Sequence, residues 1–286
     1  MEKKVIINVE CSNKLIDILV NKFNMSNKSI KNYIKNDMVY LNNKIIKNNN
    51  IIVNKGDIIT FYFNKEEKII NRKLHIIYED KDIIVVNKDY GLLTIGNYKE
   101  KDNTLYREVS DYVKKTNKNN KIFVVHRLDQ DTSGLVLFAK NMNIQEKLQS
   151  NWNDIVKERI YYCIIPGRIN ESGVIKSFID YNHNQIGYST LKDNGNYAIT
   201  EYKLEKYNNN YSLVRVNILT GKRNQIRIHM KDNFRAIVGD KKYGSNINPI
   251  KRLCLHANKL SLIDPRTNKL ISFESPIPNE MMDLVK

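Results

Sequence analysis

Cysteine is scarce in this chain, and the three that occur, Cys11, Cys163 and Cys254, are far apart and odd in number. A disulfide framework needs paired cysteines, so this usage argues against a disulfide-stabilised scaffold and is typical of the reducing cytoplasm. We therefore expect a cytoplasmic protein. Cys254 and His256 are spaced like two metal ligands, but no second pair with suitable spacing accompanies them, so we expect no metal site.

Long hydrophobic runs are missing as well. No segment approaches the ~20 apolar residues that a membrane-spanning helix needs, and the N-terminal residues contain no apolar signal-peptide core. We therefore expect no membrane partner. The length of 286 residues is instead sufficient for one large hydrophobic core, and two domains are compatible with this size.

Acidic residues are outnumbered, since 31 Asp and Glu face 47 Lys and Arg and give a formal net charge of +16. A strongly positive surface favours a polyanionic partner such as a nucleic acid and makes the association dependent on salt. Composition alone favours a nucleic acid only modestly over a basic protein that has no such partner. Lysine predominates among the cations, so each arginine, with its planar and always charged fork, carries more information about a site.

Charged and hydroxyl side chains are concentrated in residues 125–135, VHRLDQDTSGL, between two apolar runs. The runs at 122–125 and 135–139 are short and rich in β-branched and aromatic residues, which predicts two buried strands. If the first strand continues, Arg127 and Asp129 point to the same face. Burying a charge without a partner is costly, so the two residues form either an internal ion pair or part of a functional site. The residues alone leave both possibilities open.

The run HRLDQDTSGLVLFAK at residues 126–140 resembles the central motif of the RluA-type RNA pseudouridine synthases, H-R-L-D-x-x-T-S-G followed by an apolar strand. The resemblance extends from about Leu74 to the C-terminus. It includes LTGKRNQIRIH at residues 219–229, which is similar to the family pattern G-[RK]-x-x-Q-I-R-x-H. It also includes RIYYCIIPG at residues 159–167, which is similar to the family's K-x-Y strand.

Two positions depart from the family pattern. Arg159 stands where lysine is usual, and Asp89 follows Lys88 where many members have proline. Because proline fixes the backbone angle φ, its absence leaves the rigidity of the turn after Lys88 unspecified by the sequence.

The resemblance implies an enzyme that breaks the bond between ribose and nitrogen 1 of a uracil in RNA and rejoins the base through carbon 5. Nothing is oxidised and nothing is added, so we expect no cofactor. The family's catalytic carboxylate corresponds to Asp129, which can act as a nucleophile or take part in proton transfer. Asp131 is the competing carboxylate. The resemblance also assigns Arg227 to the catalytic site, where its guanidinium would keep Asp129 ionised, and Tyr161, which would stack on the target base. A phosphate contact is the alternative role for Arg227.

Two residues close to Asp129 are expected to contact RNA. A uridine must be extruded from its stack before an enzyme can act on it, and the resemblance places Arg127 in the vacated space or on the neighbouring phosphate. A structural ion pair is the alternative for Arg127. His126 is grouped with the RNA contacts, although a histidine in such a position is more often hydrogen-bonded inside the protein.

Residues 1–68 have an organisation of their own. Apolar residues recur at helical spacing from Leu15 to Phe23, and Ser26 is placed to cap a second helix. A strand around Val39, a turn at Asn42–Asn43 and a final strand in residues 58–63 follow. This order resembles the RNA-binding domain first described in ribosomal protein S-four.

The resemblance of this N-terminal segment implies phosphate contacts from its lysines, which would position RNA without reading its sequence. The candidate residues are Lys28, Lys31, Lys35 and Lys44. For any single lysine, an ordinary solvated helix face is the simpler interpretation.

The whole chain is therefore expected to contain an RNA-binding domain with its linker in residues 1–68 and a catalytic domain in residues 69–286. The catalytic domain should be α+β, with a bent, mixed and largely antiparallel sheet and a central cleft, and the protein should act as a monomer. Large-subunit ribosomal RNA is the expected substrate. The alternatives are tRNA as substrate, a non-catalytic RNA-binding protein using the same cleft, and a glycosidase that releases free uracil.

Substituting Asp129→Asn tests the assignment of the catalytic carboxylate, because the amide keeps the shape and removes the charge. We expect turnover to be abolished while folding and RNA affinity are nearly unchanged. The assay is tritium release from RNA labelled at carbon 5 of uridine, with Asp131→Asn as the matched control. If Asp129→Asn kept a substantial fraction of the activity and Asp131→Asn lost it, the catalytic role would pass to Asp131.

Overall fold

The computed structural model of the protein describes residues 4–42, 44–63, 74–98, 100–169, 171–193 and 195–286. The chain divides into two compact units, residues 1–73 and residues 74–286. The domain boundary predicted after residue 68 falls in residues 64–73, which lie outside the described residues. No helix in the described ranges is long and apolar enough to span a membrane.

The described residues of the first unit form two helices and short antiparallel strands. In chain order the elements are β1 Lys4–Asn8, β2 Asn13–Lys14, α1 Leu15–Phe23, α2 Asn27–Lys35, β3 Val39–Leu41, β4 Lys44–Ile45, β5 Ile52–Val53 and β6 Ile58–Tyr62. A four-stranded sheet has the order β1-β6-β3-β4, and β2 pairs separately with β5.

The first helix covers the residues that the sequence predicts, and the second begins after Ser26 as predicted. Leu15 and Leu19 are fully buried one turn apart in α1, and the helix ends at Asn24, which adopts the left-handed conformation with φ 50°. The Ser26 side chain caps α2 by accepting a hydrogen bond from the Ser29 backbone N–H at 3.2 Å. The strand at residues 39–41 is confirmed, whereas the predicted turn at Asn42–Asn43 includes a residue outside the described ranges.

Eleven strands among the described residues of the second unit form one large sheet. The elements of this unit are β7 His75–Glu79, β8 Ile83–Lys88, α3 Leu105–Thr116, β9 Phe123–Val124, β10 Ser133–Ala139, α4 Met142–Ser150, α5 Trp152–Ile155, β11 Val156–Pro166, β12 Ser172–Tyr181, β13 Gly187–Thr190, β14 Tyr197–Tyr207, β15 Tyr211–Ile218, α6 Gln225–Asn233, β16 Leu255–Ile263, β17 Leu270–Glu274 and α7 Asn279–Asp283. The main path of the sheet has the order β13-β12-β14-β15-β11-β16-β10-β8-β7, while β17 pairs with β16 and β9 pairs with β10.

The sheet of the second unit is mixed and largely antiparallel, as the sequence predicts. Its strand pairs are antiparallel apart from β10 and β16, which run parallel through Ser133–His256 and Gly134–Ala257. Gly134 has φ +115°, and a Cβ at this position would overlap the backbone of Ala257. Glycine is therefore required for the close approach of the two strands at the point where the motif segment enters the sheet.

Strand β10 lies at the centre of the core, and all seven of its residues are buried. Val136 and Phe138 pack in the hydrophobic cluster that contains α3, whereas Leu135 and Leu137 pack in the cluster that contains α4. Because alternate residues of a strand point to opposite faces, a helix on each face explains the uninterrupted apolar run. The rigid strand fixes the position of the residues that precede it.

The expectation that the apolar run at 122–125 continues as a strand into the motif is wrong. Strand β9 contains only Phe123 and Val124, and residues 125–132 form irregular structure. Thr94, which is 34 positions away in the chain, bonds both backbone polar groups of Leu128: its hydroxyl donates to the carbonyl at 2.8 Å and accepts from the N–H at 3.1 Å. The Thr94 side chain thus satisfies the backbone groups that a neighbouring strand would otherwise bond, so the segment can turn here.

Candidate active site

A cleft of roughly 820 Å³ in the second unit brings together the side chains that the sequence assigns to catalysis. Asp129 enters from the segment before β10, Tyr161 from β11 and Arg227 from α6. His126 and Arg127 also line the cleft. Residues separated by about a hundred positions in the chain therefore share one surface, while the competing carboxylate Asp131 is exposed and is not part of the lining.

Lys88, at the end of β8, bonds the loop that carries Asp129. Lys88 is 1% exposed, and its ammonium donates hydrogen bonds to the carbonyls of Asp89 at 2.8 Å, Leu92 at 2.7 Å and Gln130 at 2.9 Å. These bonds tie the turn after β8 to the residue that follows Asp129. A buried lysine thus supplies the rigidity that a proline after Lys88 would otherwise favour.

Burial dominates the electrostatics of Lys88. It lowers the pKa of the amine from its ordinary value to about 7, although the negative charges of Asp131, Asp129 and Asp89 act in the opposite direction. The folded protein therefore releases this proton more readily than the unfolded chain does. Between about pH 7 and the ordinary lysine range, the contribution of Lys88 to stability rises with pH.

Arg227 is held by a buried carboxylate that the sequence did not single out for this role. Asp240 is 1% exposed and accepts two hydrogen bonds from Arg227, from Nε and from Nη2, each at 2.7 Å. The remaining nitrogen, Nη1, donates to Asn224 Oδ1 at 3.2 Å and lies 3.6 Å from Oδ2 of Asp129. The bidentate contact with Asp240 fixes the plane of the guanidinium and directs Nη1 toward Asp129.

The ion pair predicted between Arg227 and Asp129 is present at 3.6 Å, but Asp240 is the closer partner of Arg227. Burial on its own would lower the pKa of the guanidinium, and the hydrogen bonds and charge of Asp240, together with Asp129, raise it above the ordinary value. Arg227 therefore remains a cation. In the sequence, the available signal for Asp240 was its position after an apolar run and a glycine in IVGDKKYG. The structure shows that it is buried there.

Tyr161 presents a protonated phenol to the cleft. Burial, with a smaller contribution from Asp129, raises the pKa of the Tyr161 hydroxyl to about 12, while Arg159 acts in the opposite direction. At neutral pH the hydroxyl can donate a proton in a hydrogen bond but cannot serve as a base. Its neighbour Tyr162 is not part of the cleft lining, as expected from the alternation of side chains along β11.

His126 has internal partners that the resemblance did not indicate. Its Nε2 accepts a hydrogen bond from the Leu137 backbone N–H at 3.1 Å, and its ring stacks on Trp152 with centroids 5.1 Å apart. Burial, and to a lesser extent the nearby Arg159, lowers the pKa of the ring to about 4. His126 is therefore neutral at physiological pH and braces the loop against β10, and its contact with RNA stays a prediction.

The cleft lining is rich in positive charge. Asp129 is the carboxylate among the described lining residues, and it faces five cations: Arg127, Arg159, Lys222, Arg223 and Arg227. Such an excess in a concave site attracts a polyanion and suits a nucleic-acid backbone. Across the described residues, no group of three or more histidine, cysteine or carboxylate side chains is arranged to hold a metal ion.

The lysines predicted to bind RNA belong to the first unit. Lys28, Lys31 and Lys35 are exposed on α2, at spacings that place them along one side of the helix, while Ile30 and Ile34 are buried. The Lys44 side chain lies outside what the structure describes. The stripe of three lysines is geometrically suited to phosphate contacts, and its role stays a prediction.

Comparisons with known proteins identify the family that the chain resembles. The family model described as RNA pseudouridylate synthase matches residues 82–232, which include Asp129, Tyr161 and Arg227. Ribosomal large subunit pseudouridine synthase D of Borreliella burgdorferi is 35% identical over 79% of this chain and 74% of that protein. The protein of the same name from Blochmanniella floridana is 30% identical over 99% of this chain and 97% of its own length. The solved structure of human RNA pseudouridylate synthase domain containing 4 superposes with a TM-score of 0.59 at 20% identity, covering 73% of this chain and 90% of that one, which supports the fold.

Substitutions at Arg227 test whether its guanidinium serves the reaction or only binds RNA. Arg227→Met removes the charge beside Asp129, and we expect the single-turnover isomerisation rate at saturating RNA to fall by about 10²-fold. Arg227→Lys keeps the charge and loses the bidentate fork, so its rate should fall less.

Thermal unfolding must accompany these rates, because Arg227→Met leaves Asp240 as a buried charge with backbone donors but no cationic partner and should lower stability by about 3–5 kcal/mol. Arg227→Lys remains informative if the methionine variant is too unstable to assay. A raised dissociation constant for RNA with an unchanged saturated rate would instead make Arg227 a phosphate contact.

Proposed function

The chain belongs to the RNA pseudouridylate synthase family, and from this premise we propose that it isomerises uridine in large-subunit ribosomal RNA, with Asp129 as the catalytic residue. The observation that carries the assignment of the site is the meeting of Asp129, Arg227 and Tyr161 in one basic cleft. A non-catalytic RNA-binding protein would have no need of a partly exposed carboxylate facing a fixed guanidinium at 3.6 Å.

The reaction breaks the bond from ribose carbon 1 to uracil nitrogen 1 and forms a bond from the same carbon to uracil carbon 5. One proton leaves carbon 5 and nitrogen 1 gains one, so atoms and electrons balance without any co-reactant. Asp129 is positioned to interact with the electron-poor sugar or base that forms between the two steps. The Arg227 guanidinium lies 3.6 Å from this carboxylate and favours its orientation in the cleft, and the Tyr161 ring offers a face on which the uracil stacks.

Extrusion of the uridine from its stack costs a few kcal/mol and needs a group that occupies the vacated space. Arg127 is suited to this task because it is exposed, lines the cleft and lies two residues from Asp129. Its position in irregular structure, outside any sheet ladder, leaves the side chain free to reach into an RNA helix.

The choice of large-subunit ribosomal RNA rests on the relatives named for that substrate in Borreliella burgdorferi and Blochmanniella floridana. Transfer RNA is the second candidate. The strongly basic cleft suits either RNA, so the substrate must be decided by experiment.

The test uses unmodified transcripts of large-subunit ribosomal RNA and of tRNA from the source organism, incubated separately with the purified enzyme. We expect tritium release and mapped pseudouridine in the ribosomal transcript, and none with Asp129→Asn. Modification confined to the tRNA transcripts would overturn the choice of substrate while keeping the enzymatic assignment. Release of free uracil would identify a glycosidase instead.

We further propose that residues 1–68 form an S-four-like RNA-binding domain that contributes phosphate contacts through Lys28, Lys31 and Lys35. The support is the helix–helix–strand order of this unit and the exposed stripe of lysines on α2. In this arrangement the N-terminal unit adds affinity for RNA, and the cleft of the second unit carries out the chemistry.

Replacing the three α2 lysines by glutamine should lower the slope of log affinity against log salt by about 2 to 3, because each lost phosphate contact contributes about 0.7–0.9. The saturated single-turnover rate should stay unchanged. The control removes the same charge from exposed positions around the end of α3 in the second unit: Lys114, Lys115 and Lys118. Equal slopes for the two triple variants would show that α2 makes no specific RNA contact.

A further inference from the structure

Arg159 on β11 is a partly buried cation without an internal partner. Its guanidinium lines the cleft, and among the described residues none accepts a hydrogen bond from it or forms an ion pair with it. The other arginines of the cleft differ, because Arg227 is bound by Asp240 and Arg223 donates to Gln185 Oε1 at 3.2 Å. Arg127 is exposed to solvent.

The strand geometry separates Arg159 from the carboxylate nearest to it in sequence. Glu158 precedes it on β11, so the two side chains point to opposite faces of the sheet. Glu158 is bound there by Lys259 at 2.8 Å and lies 4.0 Å from Arg215. Arg159 shares its face with Tyr161, two residues further along the strand, and both line the cleft.

The Arg159 guanidinium lies against a glycine at the edge of the cleft. A Cβ on Gly221 would lie 3.0 Å from Arg159 Nη1, so the absence of a side chain at this position lets the guanidinium lie against the loop before α6. Lys222 follows in the same loop, and the nearby His126 is neutral because burial, aided by Arg159, lowers its pKa to about 4.

A charged group that is partly removed from water and lacks a counter-ion is costly to the folded protein. Burial lowers the pKa of Arg159 from its ordinary value, which is the signature of this cost. A ligand that brings a negative charge to the cleft would offset it. The planar fork of arginine matches the oxygens of a phosphate group.

We propose that Arg159, lying against the Gly221 loop, binds a backbone phosphate next to the target uridine and so sets the depth at which the base enters the cleft. The inference rests on the proposed function, since it takes RNA as the substrate of this site. Arg159 is a binding and positioning residue in this account and does not take part in the bond exchange at Asp129.

The experiment uses a short RNA that the wild-type enzyme modifies, found by trimming the ribosomal or tRNA transcript that proves to be the substrate. Versions of this RNA carry a single uncharged methylphosphonate at each phosphate around the target uridine. Dissociation constants are measured by fluorescence anisotropy for the wild type and for Arg159→Gln, Arg159→Lys and Arg215→Gln. Arg215 is the matched control because it lies on neighbouring β15 beside Tyr162, outside the cleft lining.

For the wild type, one methylphosphonate position next to the target uridine should weaken binding by about tenfold or more, as expected for a charge-assisted contact. Arg159→Gln should weaken binding of the natural RNA by a similar factor and be insensitive to that one modification. Its salt slope should fall by about 0.7–0.9. Arg159→Lys should keep the slope and recover part of the affinity, and Arg215→Gln should remain as sensitive as the wild type to the modified phosphate.

The proposal is overturned if Arg159→Gln folds and remains as sensitive as the wild type at every phosphate position. If the glutamine variant does not fold, Arg159→Lys decides, because a lysine variant with wild-type affinity and wild-type sensitivity at every position contradicts a bidentate contact. Failure of the ribosomal transcript as substrate would refute only the choice of RNA, since the phosphate test proceeds with whichever transcript is modified.

Discussion

The proposed catalytic site depends on one guanidinium shared between two carboxylates. Asp240 accepts hydrogen bonds from Nε and Nη2 of Arg227, and the remaining nitrogen, Nη1, donates to Asn224 and lies 3.6 Å from Asp129. The contact with Asp240 fixes the guanidinium before any substrate arrives. Asp129, the second carboxylate, is 27% exposed and therefore accessible from the cleft, and it faces a positive charge that is already in place.

The position of Asp129 itself is determined by side chains that bond the backbone of its loop. Lys88 binds the carbonyl of Gln130, and Thr94 bonds both polar groups of Leu128. Beyond Asp129, the Ser133 hydroxyl contacts His256 at 2.8 Å and accepts a hydrogen bond from Arg252. The loop therefore has no regular secondary structure, but side chains hold its backbone by hydrogen bonds. A carboxylate can thus be held rigidly outside any helix or strand.

The sequence predicted the local features well because their causes are local. Periodic apolar residues define α1, Ser26 caps α2, and the motif containing Asp129 precedes an apolar strand whose burial on both faces follows from its composition. The pairing of Asp240 with Arg227, 13 positions apart, and the isolation of Arg159 depend on how separate elements of the fold pack together. The predicted strand through Arg127 does not form. Thr94, 34 positions from Leu128, bonds the Leu128 backbone in place of a neighbouring strand.

In the proposed site Asp240 acts on the reaction only through Arg227, and a double-mutant cycle tests this role most directly. Single-turnover rates at saturating RNA are compared for the wild type, Asp240→Asn, Arg227→Met and the variant carrying both changes, each confirmed as folded at the assay temperature. Since the aspartate has no effect once the guanidinium is gone, the doubly substituted enzyme should be no slower than Arg227→Met alone. Rate losses that multiply would show that Asp240 contributes independently, and would contradict the shared-guanidinium account of the site.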